Sequence, residues 1–269
     1  MNSTVNALAV DSSGNLYAGG GFSTAGGTSA RRIAKWNGTT WSALGTGMDG
    51  YVSALAVDSS GNLYAGDWFH IAKWNGTTWS DVGSEFDSDA ISALAFDSSG
   101  NLYAGGAFTW AGGVANIAKW DGTTWSALGT GMSNTVNALA FDSSGNLYAG
   151  GAFTTAGGTS ANNIAKWNGT TWSALGTGMD GNVTALAFDS SGNLYAGGSF
   201  TTAEGTSANK IAKWNGTTWL ALGTGMSNTV NALAFDSSGN LYAGGNFTTA
   251  GGLFRPFIAK WMTVFSSWF

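Results

Sequence analysis

The sequence contains no cysteine, one proline and one histidine. Without cysteine there is no disulfide scaffold and no thiolate-held zinc or iron–sulfur centre. A single histidine cannot build the His-rich sites that transition metals usually occupy. Charge is scarce as well. Asp, Glu, Lys and Arg make up 9% of the 269 residues, against about 25% in an ordinary domain. Acids outnumber bases by 15 to 10, for a net charge of −5, which argues against nucleic acid as a partner. Disorder is excluded on other grounds: it goes with few aromatics and high net charge, and 13% of this chain is aromatic. No apolar run approaches the roughly 20 residues of a membrane-spanning helix. No charged segment followed by an apolar one opens the chain, as a signal peptide would.

What the sequence has in plenty is glycine, 43 residues, arranged in a repeat. DSSGNLYAG begins at Asp11, Asp58, Asp97, Asp142, Asp189 and Asp236, at spacings of 47, 39, 45, 47 and 47. IAKW begins at Ile33, Ile71, Ile117, Ile164, Ile211 and Ile258. Six units follow: 1–48, 49–87, 88–132, 133–179, 180–226 and 227–269. Each reads as four short strands: VNALAF (a), NLYAGG (b), NIAKWNG (c) and TTWSALG (d), with β-prone residues alternating between turn clusters. SSGN joins a to b and NGTT joins c to d, as in tight hairpins. Glycine recurs too often for helix interiors. Four antiparallel strands per ~45 residues, repeated, predict an all-β propeller of six contiguous blades in one domain, 1–269. Small Ala7 and Ala9 on strand a suit the crowded axis, and Trp36 and Trp41 suit the wide outer gaps. The chain begins at strand a and ends near strand d, so the ring is expected to close by packing blade 1 on blade 6. The last unit reads MTVFSSWF after Trp261, without the usual turn glycine, so its strand d is the weakest of the set.

The unit resembles the kelch repeat. The matching features are the double glycines Gly19-Gly20, Gly105-Gly106, Gly150-Gly151, Gly197-Gly198 and Gly244-Gly245. With them go the pairs Trp36/Trp41, Trp74/Trp79, Trp120/Trp125, Trp167/Trp172 and Trp214/Trp219. The resemblance covers the whole chain. It departs in having Trp for the usual Tyr on strand c and Gly66-Asp67 for the double glycine in unit 2. The wording GGxFTxAGG…IAKWNGTTWSALG is similar to kelch-type repeats of bacterial secreted and fungal cell-surface proteins. The resemblance implies an extracellular or surface scaffold that binds other proteins. The turn WNGTTW is also similar to half of the Asp-box of sialidases, S-x-D-x-G-x-T-W. The Ser and Asp positions hold Ala72 and Trp74, however, and the three arginines present, Arg31, Arg32 and Arg255, include an adjacent pair ill placed for a carboxylate clamp.

Subtracting the repeat isolates the exceptions: Trp68 and Trp110 among tryptophans, and Arg31, Arg32, Lys210 and Arg255 among cations. His70, with Asp67, stands beside Trp68. These exceptions fall mainly in the b–c loops, which hold 13 residues in units 1, 4, 5 and 6, 11 in unit 3 and 4 in unit 2. In a propeller the b–c loops share one face, so Arg31, Arg32, Asp67, Trp68, His70, Trp110, Lys210 and Arg255 form the expected ligand-binding set. Asp67 and His70 have the types of a carboxylate-oriented base, but no nucleophile is paired with them, and no catalytic residue is assigned. Asp81, Glu85, Asp87 and Asp89 are the weak candidates for a hard cation, which wants several oxygens; their spacing is not that of an EF-hand. The six turn Asp residues read as backbone acceptors. The six IAKW lysines read as stems laid over aromatic faces.

No cofactor is called for. The reading is a non-enzymatic module whose ligand is another protein or a further copy of itself. The rival is a repeat lectin binding carbohydrate through Trp with Asn or Asp, for which exposed loop tryptophans would speak. An enzyme built on the unique loops of units 2 and 3 comes third.

Overall fold

The repeat becomes hydrogen-bonded structure in every unit. In the computed structural model, which describes residues 1–83, 86, 90–109, 115–262 and 266–269, six four-stranded antiparallel sheets follow one another along the chain. No helix occurs among the described residues. The fold is an all-β, six-bladed propeller with each blade made of contiguous sequence. Two compact units carry three blades each, Met1–Leu128 and Gly129–Phe269.

Blade 4 shows how one repeat folds. Its strands a to d are Val136–Phe141, Leu147–Gly151, Ile164–Trp167 and Trp172–Ala174. The a–b turn is organised by Asp142. Its Oδ1 accepts the backbone N–H groups of Ser144 and Asn146, both at 2.9 Å. Its Oδ2 accepts from Asn146 Nδ2 at 2.8 Å and from the Tyr148 hydroxyl at 3.3 Å. Lys166 Nζ lies 4.0 Å from the same oxygen and 5.4 Å from the centre of the Tyr148 ring. The turn aspartates and repeat lysines are thereby accounted for as structural groups: one carboxylate fixes the hairpin, and the ammonium caps the aromatic ring between them. In the c–d turn, Asn168 Oδ1 accepts from the N–H groups of Thr170 and Thr171. Gly169 between them has φ +98°, a conformation that excludes residues with a Cβ.

Successive blades interlock by two devices. The first is a side chain seated on a glycine. In the compact unit Met1–Leu128, Ile91 of blade 3 lies so close to Gly66 of blade 2 that a Cβ there would sit 2.6 Å from its branch methyl. In the compact unit Gly129–Phe269, Val230 of blade 6 stands in the same way against Gly197 of blade 5. The second device is a tryptophan clamp. Strand-d indoles donate Nε1–H to a carbonyl at the end of strand d in the preceding blade: Trp79 to Leu44 at 2.8 Å, Trp125 to Val82 at 3.2 Å and Trp219 to Leu175 at 3.2 Å.

Two local findings refine the sequence reading. The 13-residue b–c loops are not plain loops. Each carries a two-residue hairpin, Thr24–Ala25 with Thr28–Ser29 in blade 1 and its counterparts in blades 4, 5 and 6. The irregular C-terminus does supply a strand d: Ser267–Trp268 pairs with Trp261 and Met262 of its own blade. Trp268 takes the clamp position of the regular repeats.

Candidate functional site

Blade 2 departs from the repeat at the b–c loop, where four residues replace thirteen. The chain can turn that tightly because Asp67 stands where the other blades have the second glycine. Its side chain is fully buried. Oδ1 accepts the N–H groups of Phe69 at 2.8 Å and His70 at 3.1 Å, and Oδ2 accepts Gly50 N–H at 3.0 Å. His70 Nδ1 closes the set, 3.1 Å from Oδ1. Burial works to raise the Asp67 carboxyl, but the hydrogen bonds from His70 and Phe69 outweigh it and hold the group below the ordinary carboxylate range. The bond to Asp67 raises the His70 imidazole against a smaller opposing effect of burial, with the Asp67, Asp81 and Asp49 charges adding to the rise. Asp67 is therefore a loop staple with its oxygens occupied.

Fixing this loop leaves its other two side chains outward. Trp68 and Phe69 are 48% and 56% exposed. The Trp68 and Tyr51 rings meet edge to face at 5.6 Å between centroids, and the Arg32 guanidinium lies over the Tyr51 ring, 5.3 Å from its centroid. Arg32 is anchored in turn: its Nη1 donates to the Met48 carbonyl at 3.0 Å and, by a very short contact, to that of Asp49. Its neighbour Arg31 forms an ion pair with Asp49 at 2.8 Å, with both side chains largely in water. The structure thus brings together Arg31, Arg32, Asp67, Trp68 and His70 at the junction of blades 1 and 2. It adds Tyr51, Phe69 and Asp49, which the sequence reading missed. Tyr51 was within reach of the subtraction applied to Trp: seven tyrosines less the six of NLYAG leave one.

A cavity of about 240 Å³ shares Asp49 and His70 with this group of residues and is lined also by Trp79 and Asp81. A wider one of about 440 Å³ is lined by repeat residues instead, among them Asp11, Lys35, Ser60 and Trp74. Asp81 is exposed. Glu85, Asp87 and Asp89 lie outside the described residues, as does Trp110. Among the described residues no three metal-ligating side chains are grouped.

Lys210 and Arg255 lie in blades 5 and 6, within the compact unit Gly129–Phe269, and do engage backbone. Lys210 occupies a left-handed position (φ +65°) at the end of its b–c loop and donates to the Ser199 carbonyl at 3.0 Å. Arg255 Nη1 donates to the Phe254 carbonyl at 2.9 Å. The repeat tryptophans are buried or half-buried in every blade, so Trp68 is the exposed indole among the described residues.

Residues 116–219 match the family model described as the Rax2 C-terminal beta propeller domain. No curated protein sequence matches the chain. Among solved structures, the chain is similar to one titled as the mitotic checkpoint complex, with a TM-score of 0.67 and 17% identity over 98% of this chain and 75% of that one. It is similar to virginiamycin B lyase from Staphylococcus aureus, with a TM-score of 0.63 and 15% identity over 97% of this chain and 81% of that one. It spans 35% of the extracellular domain of the putative one component system BT4673 from B. thetaiotaomicron, at 13% identity over 100% of this chain and a TM-score of 0.45. The family match and the two closer structural likenesses agree on one point, a β-propeller module.

Proposed function

We propose that this chain is a non-enzymatic, kelch-like propeller module of the cell surface or extracellular space, and that it binds another protein through the loops joining blades 1 and 2. The observation that carries this reading is the stack Arg32–Tyr51–Trp68. Arg, Tyr and Trp are the residue types that dominate binding hot spots. Here the aromatic pair is half-exposed and rests on a loop pinned by buried Asp67. Such an anchor loses little side-chain freedom when a partner covers it. The surface location is supported by the low charge, the lack of cysteine and the Asn-x-Thr sequons at the exposed turns of Asn37, Asn75, Asn168 and Asn215. Against chemistry at this site, the Asp67 oxygens already accept bonds from Gly50, Phe69 and His70.

Carbohydrate is the second reading, favoured by the exposed Trp68 ring, on which a sugar could stack. A displayed peptide library and a glycan array, the latter with and without Ca²⁺, separate the two when each is run on the wild type, Trp68→Ala and Tyr51→Ala. Peptides that lose tenfold or more in affinity on either substitution, with an empty glycan array, are the expected result. Glycan binding abolished by Trp68→Ala would replace the protein reading with the lectin one. Ligands of either kind that ignore both substitutions would sink the site.

A further inference from the structure

The hairpins of the long b–c loops are held by the connection that leads into strand a, and blade 2, which lacks a hairpin, keeps that connection. In blade 4 the holder is Gly131–Ser133. The Gly131 carbonyl accepts Gly157 N–H at 2.8 Å, and Ser133 N–H donates to the Thr155 carbonyl at 3.1 Å. Ser133 Oγ accepts the N–H groups of Thr154 and Thr155, both at 3.0 Å. Blade 5 repeats the pattern with Gly178 and with Asp180, whose Oδ1 accepts from Thr201 and Thr202 at 2.7 and 2.8 Å. Blade 6 repeats it with Gly225 and Ser227. The hairpin tip then rests on the strand-d indole. In blade 4 a Cβ on Gly157, at φ +56°, would sit 2.7 Å from Trp172.

Blade 2 has the same connection, Gly47-Met48-Asp49, and no hairpin of its own for it to hold. Among the described residues the Gly47 carbonyl and the Asp49 N–H make no hydrogen bond. Asp49 is the counterpart of Asp180. Its carboxylate pairs with Arg31 in water, an arrangement that contributes little and exchanges readily. The 240 Å³ cavity runs along this edge, lined by Gly47 and Asp49 together with Trp79, the indole that a hairpin glycine would cover. Asp81 lines it too. It pairs with Ala72 as Ala174 pairs with Ala165 in blade 4, where the returning hairpin arm Thr159–Ser160 packs over that strand.

We infer that this seat, within the compact unit Met1–Leu128, binds a hairpin-forming segment of a partner protein by strand addition. The partner's chemistry is that of the hairpins held elsewhere. It offers two consecutive backbone N–H groups to Asp49, a carbonyl to the Asp49 N–H and an N–H to the Gly47 carbonyl, so it has no proline at those positions. It carries glycine where it crosses Trp79, because that place demands a left-handed turn against an indole. It carries Lys or Arg on the returning arm, facing Asp81 where blade 4 has Ala174. In strand addition the main-chain bonds give affinity and the side-chain pockets give specificity. The inference deepens the protein-binding reading, on which it rests, by naming the bound segment. Its groups are not those of the Arg32–Tyr51–Trp68 stack, so the two can fail separately.

The probe is a fluorescent, cyclised peptide with the sequence of residues 153–160 and a lysine after the last serine, titrated with the full chain by anisotropy. The wild type should bind it. Asp49→Ala, at an exposed position, should weaken binding about tenfold or more. A peptide with proline for its second threonine should not bind. Replacing residues 67–70 by the 13 residues 151–163 fills the seat from within and should abolish binding; far-UV circular dichroism checks that this variant folds. Trp68→Ala should bind as the wild type does. A wild type that ignores the peptide, or one whose binding survives both Asp49→Ala and the proline, overturns the inference. Binding that is lost with Trp68→Ala and kept with Asp49→Ala moves the peptide to the exposed stack, overturning the seat and sparing the protein-binding reading. A dimer in sedimentation that the loop replacement makes monomeric gives the seat to a second copy of the chain and overturns the partner named here.

Discussion

Trp268 donates its indole N–H to the carbonyl oxygen of Leu222 at 3.2 Å, tying the last described strand of the chain to the blade before it. The distance equals that from Trp219 to Leu175, although the segment leading to Trp268 has lost the NGTT turn. What the clamp requires is one indole at one register, opposite Trp261, and that register survives. Trp268→Phe keeps a ring in the hollow and removes the hydrogen bond, so it should cost about 1 kcal/mol. Trp268→Ala also leaves a cavity and should cost about 3–5 kcal/mol. Urea unfolding of the two variants beside the wild type checks the ranking. Equal losses would mean that the bond, not the packing of the ring, holds blade 6.

Lys210 is expected to be replaceable with profit. Its backbone lies at φ +65° and the corresponding Asn163 at φ +64°. Asn163 uses the position well, donating Nδ2–H to the Met179 carbonyl at 2.8 Å. Asn adopts this left-handed region more readily than Lys. Lys210→Asn should therefore stabilise the chain by about 0.5–1 kcal/mol, despite losing the exposed bond to Ser199. A destabilised variant in the same unfolding assay would show that the Lys210 ammonium matters more than its backbone.

Much of this was legible because a repeat states its fold six times over. The SSGN and NGTT turns, the glycine seats and the Trp pairs are local chemistry, readable from spacing alone. The irregular end was legible less well, because the clamp depends on where Trp268 stands across from Trp261, not on the turn that precedes it. The candidate site was legible only in part. Trp68 and Arg32 stood out as exceptions, but their meeting through Tyr51 joins residues 32, 51 and 68, which only the packing of blade 2 on blade 1 brings together. Asp67 and His70 stood out for their chemistry, yet burial turned that chemistry inward: a carboxylate placed where other blades have glycine has to spend its oxygens on the backbone. Lys210 and Arg255 were marked by charge, and the structure gives both backbone partners instead.

The turn aspartates Asp11, Asp97, Asp142, Asp189 and Asp236, all with lowered carboxyls, predict an acid limit to stability. In Asp142, burial works to raise the carboxyl, but the bonds from Asn146 and the backbone N–H groups prevail and lower it below its ordinary 3.8. A depressed carboxyl contributes stability that is complete above 3.8 and is lost as pH falls through the lower folded value. Asp142→Ala removes the acceptors of four donors and should cost about 2 kcal/mol at neutral pH. Asp142→Asn keeps one acceptor oxygen and should cost less. Both variants should also flatten the acid limb of a denaturation midpoint plotted against pH. A variant as acid-sensitive as the wild type would remove this carboxylate from the explanation.

The pair Asp67–His70 predicts a bell instead of a limb. The imidazole is raised above its ordinary 6.5, chiefly by its bond to Asp67, so its contribution is complete below 6.5 and fades as pH climbs through the raised folded value. The Asp67 carboxyl is lowered from 3.8, so its contribution is complete above 3.8 and fades as pH drops through the lowered one. Both are fully present between those two ordinary values. The difference in melting temperature between the wild type and His70→Ala should be greatest in that window and shrink on either side. Asp49 and Asp81, the other carboxylates facing His70, add to the upper limb, so Asp81→Asn should draw it to lower pH. Asp67→Asn should be the more damaging change in that window. It puts an amide N–H₂ where either Gly50 N–H or the N–H groups of Phe69 and His70 need an acceptor, at a cost of about 1–3 kcal/mol. A His70→Ala difference that stays flat across the window would mean that the imidazole serves the loop by its shape alone and that the backbone bonds to Asp67 hold the turn unaided.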